Sequence, residues 1–314
     1  MSTNSLSSQN EKPFLTTSFP SSLPTPFEPL SPASSGPPAS SSRLRNLYLL
    51  LFRCDRALNR LTAVLSTPAG TDTLLATTCY TLQLLHANLN ALLATQLQRL
   101  ASKVLRSSRD ALQPGETLIA SLPAPRAAAF LARLSAGSKT LSELVGDYRI
   151  FTRLWGLLGI YQWGKSAVFD PPADAVLVRI GLAQVAVNVA FQGLENLAYL
   201  GQHGVLQRAP RLVLRDWVWS SRFWAAHVLL EFARLARVRV LWDWETLDGD
   251  DKEAKVKRKE AVEAWWRELL INVFYAPMTM HWSVENGLFS DGWIGFFGAM
   301  AGAVALRDLW KKTA

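Results

Sequence analysis

The apolar residues of this chain recur at every third or fourth position over most of its length, and this spacing limits the folds it can adopt. The first such stripe begins at Leu44 and reaches Leu65. A spacing of three or four places side chains on one face of an α-helix, whereas a strand alternates at every second position. No alternation of that kind persists anywhere in the sequence. We therefore predict an all-α fold.

Scarce charge and abundant Trp indicate where such helices lie. Charged residues make up 18% of the chain, against roughly 25% in an ordinary soluble domain. The formal net charge is +8, and the chain has 12 Trp. This combination is typical of proteins in contact with a bilayer. The predicted fold is a membrane-associated helical bundle with amphipathic interfacial helices and a short C-terminal apolar helix.

Composition divides the chain into two parts. Residues 1–42 are rich in Ser and Pro and carry almost no charge, so they cannot bury enough apolar surface to offset the entropy of ordering. We predict a disordered tail there and a helical membrane domain over 43–314, with a charged hinge at 246–263. A turn at 66–70 separates the first two helices, and Thr71 or Asp72 can cap the second.

Residues 126–158 combine an apolar stripe with basic side chains. The stripe consists of Phe130, Leu131, Leu134, Leu141, Leu144, Tyr148, Phe151 and Trp155. Arg133 and Lys139 lie where they could meet lipid headgroups. A basic amphipathic helix of this kind binds the surface of an anionic bilayer. The alternative is that the stripe packs on the preceding helices, and the pattern alone does not choose between the two.

Residues 180–207 contain a single charge, Glu195, and are long enough to span a bilayer. Several amides and this carboxylate make the segment costly in hydrocarbon. We predict a buried or shallowly inserted helix, with a true span as the alternative.

Residues 208–244 interleave Arg with Trp. The predicted interfacial residues are Arg215, Trp217, Trp219, Arg222, Trp224, Arg234 and Arg237. The same mixture can bind nucleic acid, but no nucleic-acid motif accompanies it and the intervening residues are Val, Leu and Phe. Anchoring at a membrane interface explains both residue types, so we predict no nucleic-acid partner.

The clearest apolar run lies near the carboxyl end, where residues 292–306 carry no charge. At ~1.5 Å per residue this run reaches about 22 Å, short of a hydrocarbon core of about 30 Å. Gly298 and Gly302 have the GxxxG spacing that lets a second helix approach closely. Basic residues follow the run, which predicts a cytosolic C-terminus.

No constellation in the sequence predicts catalysis. The four histidines are far apart and lack Glu or Cys at metal-ligand spacing, and Cys54 and Cys79 have the surroundings of reduced, buried thiols. GxSxG, Walker A and GxGxxG motifs are absent from the sequence. We predict a protein that is not an enzyme and uses no cofactor or metal.

A block at 275–288 and the glycines after it resemble the terminal signature of the peroxin-11 family, in its fungal C or gamma-like subgroup. The residues that carry the likeness are Pro277, His281, Trp282, Ser283, Glu285, Gly287, Gly295, Gly298 and Gly302. Residues 70–75 with Tyr80, and residues 149–163, are similar to two further blocks of that family. Thr73 departs from the pattern, since the family usually has Lys there.

The resemblance implies a peroxisomal membrane protein, multi-pass or tightly associated, that elongates and tubulates the membrane and promotes peroxisome fission and proliferation. Its implied partners are an anionic bilayer, further copies of itself, dynamin-related fission machinery and a peroxisomal membrane-protein import receptor. Residues 126–155 match the inserting helix. Two other hypotheses stay open: a metabolite pore or transport component, and a non-catalytic helical scaffold at the membrane surface.

Overall fold

The structure, a computed structural model, describes residues 41–108, 126–242 and 252–313. The predicted tail lies outside the described residues except for its last two positions, and so does the first part of the predicted hinge, residues 246–251. All regular structure within the described ranges is helical, which confirms the all-α prediction for that part of the chain.

Eight α-helices and one 3₁₀ turn follow one another along the described ranges. They are α1 (Ser41–Leu65), α2 (Pro68–Ser108), α3 (Arg126–Thr152), the 3₁₀ turn (Arg153–Trp155), α4 (Gly156–Phe169), α5 (Ala175–Gln202), α6 (Pro210–Leu241), α7 (Lys252–Trp282) and α8 (Asp291–Lys312). The segment predicted as one helix over 126–158 is therefore divided by the 3₁₀ turn.

The described residues from 54 onward form one compact unit, and residues 41–53 of α1 belong to a separate one. Within the larger unit, α2 packs against both α3 and α8. A second group is built on α5, which packs against α4 and α6. Helix α7 joins the two groups because it contacts both α6 and α8.

The turn between α1 and α2 corrects one prediction. The N-terminal cap of α2 is Thr67, whose Oγ1 accepts the Gly70 backbone N–H at 3.1 Å, and not Thr71 or Asp72. Pro68 takes the first helical position, where its missing N–H costs nothing. Asp72 lies one turn further on and instead pairs with Arg149.

The two cysteines have different surroundings, although both are free thiols. Cys79, in α2, is buried as predicted, and its sulfur lies 3.3 Å from the Ser142 carbonyl oxygen. Cys54 is exposed, so the prediction of a buried thiol is wrong at this position. The reason is that most side chains of α1 are exposed.

The interior of the protein is unusually polar and its surface unusually apolar. Beside a small apolar core, the buried polar residues are Ser135, Ser138, Ser142, Gln184, Gln192, Glu195, Asp216, Ser220 and Thr279. Large apolar side chains are exposed on every helix from α1 to α8. Exposed apolar patches that are larger than usual mark sites of contact with proteins, ligands or membranes.

By length and composition, α5 is the helix in the described ranges that could cross a membrane, with a mean hydropathy of 1.5 over its most apolar window. The sequence pattern predicts the deepest insertion at residues 292–306, in α8, and a span at 180–207 only as the alternative. Helix α5 buries Gln184, Gln192 and Glu195 inside the protein, so the polar groups that make it costly in lipid face other helices.

Candidate functional site

Helix α3 attaches to α2 through small side chains. Ser135 and Ser142 are buried at this contact. The hydroxyl of Ser142 donates to the Cys79 carbonyl oxygen at 2.9 Å, and the hydroxyl of Ser135 donates to Asn90 Oδ1 at 2.7 Å. Small residues and interhelical hydrogen bonds of this kind hold helices together in membranes, where apolar burial gives little driving force.

The apolar stripe predicted on α3 points away from α2. Its exposed members are Phe130, Leu134, Leu141, Leu144, Tyr148, Phe151 and, in the 3₁₀ turn, Trp155, while Leu131 is half-buried. Phe130 and Leu144 are 66% and 65% exposed. The basic residues Arg133 and Lys139 are exposed as well. We call the exposed apolar residues of α3 and the turn the α3 apolar face.

Helix α4 continues this exposed apolar surface beyond residue 158, where the predicted amphipathic segment ends. It is described throughout and has no buried residue, and it packs against α5. Leu158, Tyr161 and Phe169 are 69%, 65% and 79% exposed. The composition of residues 156–169 could have predicted this apolar surface, because Lys165 is the one charged residue among them.

The predicted Arg and Trp residues of α6 separate into an outer and an inner set. On the outside, Trp219 is 45% exposed and the Arg222 guanidinium lies 4.8 Å above its ring, with Arg215 exposed on the same helix. The inner set comprises Trp217, Trp224, Arg234 and Arg237, which contact side chains outside α6.

The inner arginines belong to a series of polar contacts along α5. Arg234 binds Glu231 and, at 2.5 Å, Glu268 of α7, while Gln184 of α5 donates to Glu231 at 2.6 Å. Arg237 binds Asp174, the N-cap of α5, at 2.7 Å. The hydrogen bond from Arg237, together with the Leu177 backbone N–H, lowers the pKa of Asp174 to about 2.

Two further ion pairs involve neighbouring arginines, one reaching α5 of the second group and one lying within the first group. Arg153, in the 3₁₀ turn, binds Glu195 of α5 through two hydrogen bonds of 2.9 and 2.7 Å. Arg149 of α3 binds Asp72 of α2 at 2.8 Å. Burial opposes the charge of Arg149, but the hydrogen bond with Asp72 and the attraction of Tyr80, Asp72 and Tyr275 together outweigh it, so the pKa of the guanidinium is raised.

Residues 275–288, the block that carries the family resemblance, form the end of α7 and most of the loop that connects it to α8. The ring Nδ1 of His281 accepts the backbone N–H groups of Leu288 and Phe289, both at 2.9 Å. Gly287 adopts φ +64° and lies directly against this ring. Trp282 stacks on Trp224 with 5.7 Å between centroids. Other members are Pro277 inside α7, Ser283, whose hydroxyl donates to the Thr279 carbonyl, and Glu285 in the loop.

Replacing Gly287 with Ala is expected to destabilise this connection. The left-handed backbone costs a residue with a Cβ roughly 1–2 kcal/mol. In addition, the new Cβ would lie 2.3 Å from His281 Cε1, and the ring is held by two hydrogen bonds. We expect a total loss of about 3 kcal/mol, measured as the free energy of unfolding in detergent micelles.

Gly204 provides the matched control, because it has φ +72° but no neighbouring atom within 4 Å of the place that a Cβ would take. Gly204→Ala should lose only the backbone cost of roughly 1 kcal/mol. Equal losses for the two substitutions would show that the His281 contact does not constrain the loop.

The glycines of α8 form a second close contact, with α2. Gly295, Gly298 and Gly302 are buried on one face of α8, and a Cβ on any of them would lie within 2.6 Å of an α2 atom. The close approach for which the GxxxG spacing is suited is therefore made within this chain, between α8 and α2.

Helices of both groups, together with α7 and the loop before α8, line a cavity of about 930 Å³. Its lining includes the charged residues Arg149, Arg153 and Glu195 and the aromatic residues Trp224, Tyr275 and Trp282. Across the described ranges no three His, Cys, Asp or Glu side chains are grouped so that they could hold a metal ion.

The chain is similar to an uncharacterized protein of Schizosaccharomyces pombe. The two are 28% identical over 181 residues, which cover 57% of this chain and 82% of that protein. No family model matches the chain, and no solved structure matches it.

Proposed function

We propose that this protein is a peroxisomal membrane protein that elongates and tubulates the bilayer by inserting the α3 apolar face into one leaflet, and so promotes peroxisome fission and proliferation. The single observation that carries the proposal is the orientation of α3. It attaches to α2 through small polar residues and exposes its largest apolar side chains beside exposed Arg133 and Lys139.

This arrangement suits a wedge. Apolar side chains enter the acyl region while the basic groups stay with anionic headgroups, so one leaflet expands more than the other. Attachment of α3 to α2, and of the 3₁₀ turn to α5 through Arg153, fixes the wedge to the rest of the protein. Helix α4 extends the apolar surface beyond Trp155.

The peroxisomal location and the biological partners rest on the resemblance of the C-terminal block. They are dynamin-related fission machinery and a peroxisomal membrane-protein import receptor. Self-association is part of the same proposal. Since the α8 glycines contact α2, a second copy would bind through another surface.

The test is reconstitution of the full chain into liposomes that contain anionic lipid. Leu134→Glu/Leu141→Glu places two charges on the α3 apolar face, and we expect at least a tenfold loss of tubulated vesicles by electron microscopy. Ala136→Glu/Thr140→Glu is the matched control, because these residues are exposed outside the apolar stripe. Equal tubulation by the two variants would rule out the wedge.

A pore or transport component is the second candidate, and the polar contacts along α5 favour it. Asn188 Nδ2 lies 2.9 Å from His227 Nδ1, near the Gln184–Glu231 contact. Buried polar residues in membrane helices commonly line ion or substrate paths. Recordings in planar bilayers distinguish this function, which requires unitary currents from the purified chain.

A further inference from the structure

The cavity between the two groups of helices has the size and the chemistry of a ligand site. Its volume of about 930 Å³ lies within the range of small-molecule sites, roughly 300–1,000 Å³. It is bounded by α2, α3, the 3₁₀ turn, α5, α6, α7, the loop before α8 and the first residue of α8. Neither the family resemblance nor the Schizosaccharomyces pombe relative assigns it a role.

One wall is aromatic and offers free hydrogen-bond donors. Trp224 lies 5.6 Å from Tyr275 and 5.7 Å from Trp282, measured between ring centroids. The indole N–H groups of both Trp and the Tyr275 hydroxyl have no hydrogen-bond partner in the described part of the chain. By contrast, Trp217 donates to Gln202 at 2.9 Å. Burial raises the pKa of Tyr275 to about 12, so its hydroxyl keeps its proton.

A second part of the lining presents guanidinium groups in fixed positions. Arg149 and Arg153 are each held by a carboxylate through two hydrogen bonds. A guanidinium has five N–H donors, so each retains donors for a further anionic group. Two arginines with planar donor sets are well suited to a phosphate.

The loop end of the cavity is acidic. Glu285 and Asp291 line it, and neither forms an ion pair within the described ranges. Since Arg149 and Arg153 are already balanced by Asp72 and Glu195, these two carboxylates give the cavity an excess of negative charge. Carboxylates beside aromatic rings favour an ammonium group, through charge and cation–π attraction.

We propose that this cavity binds a zwitterionic phospholipid headgroup, with the phosphate at Arg149 and Arg153 and the ammonium against Trp224, Trp282 and the acidic loop end. A headgroup of this class carries a negative and a positive charge on one molecule, and the lining offers basic groups for the first and aromatic and acidic groups for the second. The inference goes beyond the proposed function, because it holds whether or not α3 bends a bilayer.

The test uses the purified full chain in a sugar-headgroup detergent, which lacks phosphate and ammonium. Dihexanoyl-phosphatidylcholine is titrated by calorimetry, and dihexanoyl-phosphatidylglycerol serves as the anionic analogue with the same chains. We expect saturable binding of the zwitterionic lipid, at least tenfold tighter than that of the anionic one. Equal affinities, or no saturable binding of phosphatidylcholine, would overturn the proposal.

Two variants locate the binding in the cavity. Glu285→Gln/Asp291→Asn removes the acidic charges with little change in shape, and we expect at least tenfold weaker binding. Glu143→Gln/Asp147→Asn removes two exposed carboxylates from α3 and should leave the affinity unchanged. Equal affinities for these two variants would place the lipid elsewhere and overturn the assignment.

A chain-free headgroup identifies the source of the ligand. If glycerophosphocholine binds as tightly as the lipid, the cavity takes a soluble phosphocholine compound, and the headgroup chemistry is still supported. If it binds at least tenfold more weakly, the ligand is a membrane lipid. These measurements contain no bilayer, so their failure is distinguishable from a failure of the wedge in the tubulation experiment.

Discussion

Gly295→Ala is expected to destabilise the protein by about 3 kcal/mol, at the upper end of the usual cost of overpacking. A Cβ at this position would lie 2.6 Å from the Leu84 backbone nitrogen and 2.9 Å from its Cα. Backbone atoms cannot move away by changing a rotamer, so α2 and α8 would have to separate. In a protein with so small an apolar core, this close contact is a main source of helix association.

The measurement is the free energy of unfolding in detergent micelles, with Gly137→Ala as the control of opposite sign. Gly137 lies in the middle of α3 with nothing within 4 Å of an added Cβ. Replacing it should stabilise the helix by up to about 1 kcal/mol. If Gly295→Ala were as stable as Gly137→Ala, the α2–α8 contact would not be as close as described.

The helices could be predicted from the sequence, but the directions of their faces could not. The spacing of apolar residues places Leu134 and Leu141 on one side of α3, and in the structure both side chains are exposed on that side. Whether it faces a neighbour or the surroundings depends on the other side, where Ser135 and Ser142 fit against α2. Because either face of α3 can pack against a neighbouring helix, the periodicity of the sequence does not predict which face is buried.

The same limit explains the division of the Arg and Trp residues on α6. Both types can anchor a helix at an interface, and the sequence predicts one interfacial set. Trp219 is exposed as such a residue would be, whereas Trp224 stacks on Trp282 of α7. The difference arises from α7, which follows α6 only after a connecting segment whose geometry no local pattern specifies.

Ion pairs between residues that are far apart in the sequence were the hardest contacts to predict. Arg149 and Asp72 are 77 positions apart, and Arg153 and Glu195 are 42 apart. Each of these residues has a local interpretation, as a headgroup contact, a helix cap or a costly charge in an apolar helix. Their partners become known only when the helices are placed side by side. The cavity could not be predicted for the same reason, since its lining comes from seven helical elements and a loop.

Breaking the Arg153–Glu195 ion pair is the second change for which we expect a large effect. Substitutions of the two residues should lower the free energy of unfolding by unequal amounts. The Glu195 side chain is 5% exposed and that of Arg153 is 34% exposed. Arg153→Met leaves a carboxylate buried without its cation, which we expect to cost about 3–5 kcal/mol. Glu195→Leu leaves an arginine that can reach solvent or headgroups, so the loss should be smaller, about 1–2 kcal/mol.

The double variant Arg153→Met/Glu195→Leu separates the cost of an unpaired charge from the value of the pair. Because well-packed apolar residues often replace a buried ion pair without loss, we expect it to lie within about 1 kcal/mol of the wild type and to tubulate liposomes. Lys139→Met, which breaks an exposed pair with Glu143 at 3.7 Å, should cost less than about 0.5 kcal/mol. If the two single losses were equal and simply added in the double variant, the buried charge would not be the cause, and the pair would act as two independent contacts between the 3₁₀ turn and α5.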